Sequence, residues 1–323
     1  MKKLLLLLAT LGLFSFSCQD SQKGKSLKLA HGLDLSHPVH KAMLFMAEKL
    51  KEKSQGKVRI EVYPSQQLGS ERQCLELLQI GSLDMTKVSG AVMENFAPKF
   101  QVLSLPYIFR DREHAYRVQD GELGKKLLTE SEKYRLRGLI YFDAGYRSFY
   151  AKEAINTPED LTNKKIRVQE SPTAIALVKA LGGSPTPISW GELYTALQQG
   201  VVDGAENNPP SFLTSRHYEV CKFYSLNEHT YVPDILVIGT PTWNNLSTEE
   251  QNWLSEAAEE AKNYQRKLWV EAETEALEKV KAAGVTVSYP DKSLFLARTQ
   301  DLLNSYKGDR EKYDLIQKIQ ALQ

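Results

Sequence analysis

Between Ser247 and Ala283 the chain contains neither proline nor glycine, and no other stretch restricts the fold as strongly. Proline removes an amide donor and glycine costs about 1 kcal/mol inside a helix, so their absence leaves helix as the natural state of the segment. Leu254, Ala257, Ala261, Tyr264, Leu268, Val270, Ala276 and Leu277 recur with a broad helical period. Ser247 followed by Glu250 reads as a capping box, and Gly284 as a stop. At 1.5 Å per residue such a helix is about 50 Å long, whereas a small domain is about 30 Å across. The helix is therefore expected to run along two lobes.

The rest of the chain alternates short β-rich runs with helical patterns. Val58–Tyr63 precedes a helix over Glu71–Leu78, Gly81 stops that helix, and a strand follows over Leu83–Val88. Ala42, Phe45, Met46 and Leu50 mark an amphipathic helix. Leu139–Phe142 and Ile166–Val168 read as further strands, the second followed by a helix near Ala174–Leu181. This alternation predicts an α/β fold with mostly parallel sheets.

The N-terminus carries Lys2 and Lys3, then an apolar run from Leu4 to Phe14 that is too short for a membrane span and has the form of a signal peptide. Ser15 and Ser17 directly before Cys18 suit cleavage after residue 17 and lipidation of Cys18. Residues 18–25 hold almost no apolar side chain, as a tether to a membrane would. An extracytoplasmic, lipid-anchored protein is expected. With 41 basic and 40 acidic side chains, the chain has no electrostatic case for binding nucleic acid. Beyond Cys18 only Cys74 and Cys221 remain, too few for a disulfide scaffold, and two buried thiols are expected.

Enzyme signatures are missing: the chain has no GxSxG, HExxH, CxxC, GxGxxG or GxxxxGK[ST]. His37 and His40 are the one close histidine pair, and Asp34 alone is thin support for a metal. No metal and no cofactor is expected. The informative residues are arginines. Arg147 follows a strand, and Arg167 lies inside the apolar run Ile166–Val168. A buried arginine cannot lose its charge, so Arg167 pairs either with a carboxylate of the protein or with one that arrives from solvent. Trp190 follows a proline-stiffened entry, and either packs in a core or offers a ring face to a ligand. Glu206 and Asn207 end a strand read from Val201, where open α/β sheets place ligands.

These segments resemble the DctP-type solute receptors of tripartite ATP-independent periplasmic (TRAP) transporters. The resemblance rests on Tyr63–Gly69, Gly81–Met85, Leu105–Phe109, Lys165–Gln169, Pro185–Pro187 and above all Glu192–Asn207, in the family's order over residues 26–320. It implies a two-lobed fold with the ligand between the lobes, the long helix crossing both, and chain crossovers near Gly145 and Val232. Lobe I would then comprise 26–144 plus 233–272, and lobe II 145–232 plus 273–323. It further implies that Arg167 binds the ligand carboxylate, with Arg147, Asn207 and Trp190 beside it. Glu71, Ser89 and Asp234 fall at positions that vary with substrate, and Glu71, His37 and Asp234 are candidate hydroxyl partners. Sialic acid receptors carry an acid where this chain has Ser89, so sialate is not expected. The phrases Arg147–Tyr150, Gly204–Phe212 and Ser215–Glu219 look most like members that bind hexuronates such as glucuronate and galacturonate. A monomeric receptor serving a membrane permease is implied, and no enzyme. The competing readings are a receptor for C4-dicarboxylates or other sugar acids, a secreted uronate-processing enzyme, which would need an acid/base pair that cannot be named here, and a ligand sensor for a membrane kinase.

Overall fold

The computed structural model describes residues 24–322; the expected leader, Cys18 and most of the tether lie outside the described residues. The strands are β1 (Lys25–Ala30), β2 (Val58–Tyr63), β3 (Met85–Ser89), β4 (Leu136–Phe142), β5 (Arg147–Ala151), β6 (Lys165–Val168), β7 (Ser184–Pro187), β8 (Gly204–Asn207), β9 (Phe223–Thr230), β10 (Asp234–Gly239) and β11 (Thr286–Ser288). They form two sheets, one in the order β2-β1-β3-β10-β4 and one in the order β11-β9-β5-β8-β6-β7. Val201 and its neighbours are turn residues, so β8 starts at Gly204, later than the sequence suggests.

Each sheet contains one reversed strand. β10 is antiparallel to both β3 and β4, and β5 is antiparallel to both β8 and β9. The reversal follows from the path of the chain. The parallel strands end at the gap between the lobes, whereas β5 and β10 enter directly from the other lobe and start there. The chain crosses at 143–146, between β4 and β5, and at 231–233, between β9 and β10.

The inner strands of both sheets are buried on two faces and alternate between two cores. Ile235 and Val237 of β10 join Leu78, Phe100 and Tyr141 on one face, while Leu236 and Ile238 join Met43, Met46 and Leu254 on the other. In the second lobe Tyr150 packs with Phe212 and Tyr224, and Phe149 with Leu177 and Phe295. Cys74 and Cys221 sit in different cores as buried free thiols, and burial pushes their pKa up to about 11 and about 12.

The long helix spans Thr248–Ala282, and the capping box of Ser247 and Glu250 is formed as read from the sequence. Leu254, Ala257, Ala261 and Trp269 pack in the first lobe, and Val280 and Leu277 in the second. Ser247→Ala is expected to cost about 1 kcal/mol, read as a lower urea midpoint at unchanged slope. The last helix, Arg310–Ala321, differs from the lobe assignment of 273–323. The helix Lys292–Ser305 places Phe295 in a second-lobe core, but the turn Tyr306–Gly308 carries the chain back, and Ile316 and Ile319 pack in the first lobe. Its apolar stripe of Ile316 and Ile319, three residues apart, is covered there by Phe100 and Leu127.

The two crossovers are tied at Asp143, a fully buried carboxylate. It accepts from the amide of Gly145 at 2.8 Å, from the hydroxyl of Tyr231 on the second crossover, and from Tyr116. Arg112 Nε lies 3.2 Å away. Gln265 of the long helix grips the backbone of the same residue, accepting from its N–H at 2.9 Å and donating to its carbonyl at 2.7 Å. Gly145 adopts φ +59°, and a Cβ there would stand 2.9 Å from Trp269 Nε1 on the long helix, so the crossover favours glycine.

Candidate ligand cleft

The strand ends converge on a cavity of about 610 Å³, counting the part open to solvent. β3 contributes Ser89, β6 leads into it with Arg167 and Gln169, and β8 ends in it with Asn207. The reversed strands contribute their first residues, Arg147 and Asp234. Contacts between the lobes close it. Ser89 Oγ donates to Gln169 Oε1 at 3.3 Å, Asn95 Nδ2 to the Glu170 carbonyl at 2.5 Å, and Thr173 Oγ1 to Glu94 Oε2 at 2.7 Å. A Cβ at Gly191 would stand 2.2 Å from Gln66 Oε1 of the opposite lobe.

The two arginines have opposite environments. Arg147 is bound within the protein: Nε donates to Glu206 Oε2 at 2.5 Å, Nη2 to Glu206 Oε1 and the Glu206 carbonyl at 2.9 Å, and Nη1 to Asn207 Oδ1 at 2.9 Å. Of its five N–H groups only one, on Nη1, is left for a ligand. Arg167 is 3% exposed, yet among the described residues it has no carboxylate within salt-bridge distance. Its Nε donates to the Ile188 carbonyl at 2.8 Å, Trp190 lies beneath it with the ring centroid 5.7 Å away, and Nη1 has no partner. Burial presses its pKa below the ordinary value while the group stays charged. The open question about Arg167 is thus answered on the protein's side: it has no internal ion pair.

Glu206 is the counter-ion of Arg147. Burial alone would raise its pKa, but the Arg147 charge, a His229 contact and the hydrogen bonds hold it at about 2, below its ordinary 4.5. A carboxyl lowered on folding adds stability above the unfolded value and loses it as pH falls. The urea midpoint should therefore drop between pH 4.5 and about 2, and Glu206→Gln should lack that part of the drop. Asp234 runs the other way. Burial, and then Glu71, push it up to about 6 against the pull of Lys87, so it costs stability that appears as pH rises from 3.8 towards 6.

Of the residues picked out in the sequence, Arg147, Arg167, Asn207, Trp190, Glu71, Ser89 and Asp234 all line the cavity. His37 does not. Its Nδ1 accepts from the Val39 amide to cap the helix Pro38–Lys53, and its Nε2 lies 3.3 Å from Ser211 Oγ, which does line the cavity. His40 lies 3.0 Å from His31, ring nitrogen to ring nitrogen. Sequence reasoning missed Lys87, Gln169, Gln66, Asn208 and Ser211. Lys87 carried the same signal as Arg167, a cation inside a buried strand. Its Nζ lies 2.9 Å from Glu71 Oε1 and 3.3 Å from Asp234 Oδ2.

Residues 29–309 match the DctP family, described as bacterial extracellular solute-binding protein, family 7. The chain belongs to the DctP family of solute-binding proteins. DctP-family proteins are the extracytoplasmic receptors of TRAP transporters, which bind small acids and work with membrane permease subunits, and they are not enzymes. The chain is 38% identical to a TRAP periplasmic solute-binding protein of Xanthobacter autotrophicus solved with β-D-galacturonate, at a TM-score of 0.90, covering 92% of this chain and 100% of that one. A counterpart from Pseudomonas putida, solved with D-glucuronate, is 35% identical at a TM-score of 0.88, covering 92% and 97%. The 2,3-diketo-L-gulonate-binding periplasmic protein of Escherichia coli is 32% identical over 85% of this chain and 84% of its own. The likeness confirms the two-lobed fold. Among the described residues no helix is long and apolar enough to cross a membrane.

Proposed function

We propose that this DctP-family receptor captures a hexuronate, glucuronate or galacturonate, and hands it to a TRAP permease. The observation that carries the reading is Arg167, a buried guanidinium on the lining of the cleft whose Nη1 has no partner in the protein. A planar carboxylate fits that fork, and each charge-assisted bond is worth about 1.5–3 kcal/mol. The remaining Nη1–H of Arg147 and the amide nitrogen of Asn207 supply further donors, and the Trp190 ring covers one side. Glu71, Asp234 and Ser89 offer acceptors to sugar hydroxyls from the opposite lobe. His37 acts through Ser211 in this reading. Sugar-acid ligands in similar solved receptors support the choice of substrate.

A ligand held by both lobes favours the closed state, because closure draws only on the difference in affinity between open and closed forms. In this reading 143–146 and 231–233 are the hinges. The lipid anchor at Cys18 and a monomeric state belong to the same proposal, checked by mass spectrometry of the mature N-terminus and by light scattering. Calorimetry with glucuronate, galacturonate, gluconate, succinate, malate and sialate tests the substrate. At least one hexuronate is expected to bind about tenfold tighter than any dicarboxylate, a gap of about 1.4 kcal/mol. Succinate binding tighter than every uronate overturns the assignment.

A further inference from the structure

We propose that Glu71, Lys87 and Asp234 act as a charge filter that admits sugar acids with one carboxylate and turns away sugar diacids. The inference rests on the reading of Arg167 as the carboxylate clamp, and goes beyond it by assigning the facing lobe's side of the cleft a rejecting role.

The filter follows from matching the buried charges. Arg147 is matched by Glu206. Arg167 is the one unmatched cation of the cavity among the described residues. Across the cleft, in the other lobe, Lys87 Nζ sits between two carboxylates, 2.9 Å from Glu71 and 3.3 Å from Asp234, with only 3% of its side chain exposed. One cation between two anions leaves one negative charge unmatched. Nearby histidines do not offset it: burial first, then the Lys87 charge, lower His31 to about 2 and His37 to about 3, so both are neutral. Glu170 at the cleft lining adds a further negative group.

The cleft is thus positive at Arg167 and negative at Asp234. A six-carbon acid with one carboxylate on Arg167 presents hydroxyl donors to the triad, whose carboxylates can only accept. A diacid of the same length brings a second carboxylate towards Glu71 and Asp234, where the unmatched negative charge opposes it. An unmatched like charge discriminates by opposing the wrong ligand rather than by adding a contact to the right one. Lys87 is the positioning residue here. It fixes the two carboxylates as acceptors and keeps their mutual repulsion from opening the site.

Calorimetry at pH 7.5 tests the filter with glucuronate, galacturonate and gluconate against glucarate and galactarate, on the wild type, Glu71→Gln and Asp234→Asn. The wild type should bind either diacid at least 100-fold more weakly than the best monoacid, and each substitution should narrow that gap at least tenfold. A wild-type gap under tenfold, or a gap unchanged in both folded variants, overturns the filter. An arm without mutation repeats the wild-type series at pH 5.5, near the value of about 6 to which burial, and then Glu71, raise Asp234 against Lys87, with Arg147 the other charge facing it. The gap should narrow there. If it does not, the filter is wrong even should both variants fail to fold. Uronate binding without discrimination sinks the filter alone, and absence of binding by every monoacid sinks the substrate assignment together with it.

Discussion

Replacing Arg167 with lysine is expected to weaken binding of the captured acid by about 100-fold or more. Lysine keeps the charge but loses the planar fork, so the loss isolates geometry from electrostatics. The present guanidinium is anchored at Nε by the Ile188 carbonyl and stacked near Trp190, which fixes where Nη1 points. A lysine ammonium has neither the anchor nor the flat face. Loss of one or two charge-assisted bonds at about 1.5–3 kcal/mol each corresponds to roughly 10- to 10,000-fold in affinity. The check is calorimetry of Arg167→Lys beside Arg147→Lys. Arg147 has nearly all its donors committed to Glu206 and Asn207, so its replacement should cost stability as well as affinity, while Arg167→Lys should leave stability unchanged or higher. An Arg167→Lys affinity within threefold of wild type would falsify the clamp.

Asp143→Ala is expected to be the most destabilising single change outside the apolar cores, at about 3–5 kcal/mol. It removes the acceptor of two tyrosine hydroxyls and of the Gly145 amide, and leaves Arg112 with Glu273 as its only carboxylate among the described residues. Orphaned buried donors carry their full desolvation cost. Urea unfolding by circular dichroism measures it. A loss below about 1 kcal/mol would show that the hydroxyls find other partners. Tyr231→Phe provides the smaller companion effect, about 1 kcal/mol, because it removes one donor and leaves the carboxylate otherwise satisfied.

Much of this was legible in the sequence, for physical reasons that differ by element. The long helix was readable because proline and glycine are absent over its length and its first turn is capped by adjacent residues, both local properties. The strand pairing was not. Nothing local in Asp234–Gly239 says that it slots in reverse between β3 and β4, since a strand buried on both faces shows only a continuous apolar run. At the cleft, Arg167 stood out as a cation within an apolar run, but the partners that separate a ligand clamp from an internal ion pair are set by the fold. Glu206 lies next to Asn207 in sequence, yet its bond to Arg147 depends on the register that sets Ser148 against Asn207. Lys87 was passed over although Met85–Ser89 has the same character as Ile166–Val168. Its two carboxylates come from a helix and from a strand more than a hundred residues away.

The reversed strand β10 also sets an order of events for a chain that emerges N-terminus first. The first sheet is split until residues 234–239 arrive, because β3 and β4 do not pair with each other and both bond to β10. Four strands, β1 to β4, are therefore made long before the strand that joins β3 to β4, and the entire second-lobe segment from β5 to β9 intervenes. Until then β3 has an open edge, and closing it requires a contact of long sequence separation, which is slow to form. The second crossover is thus also the step that completes the first lobe's sheet.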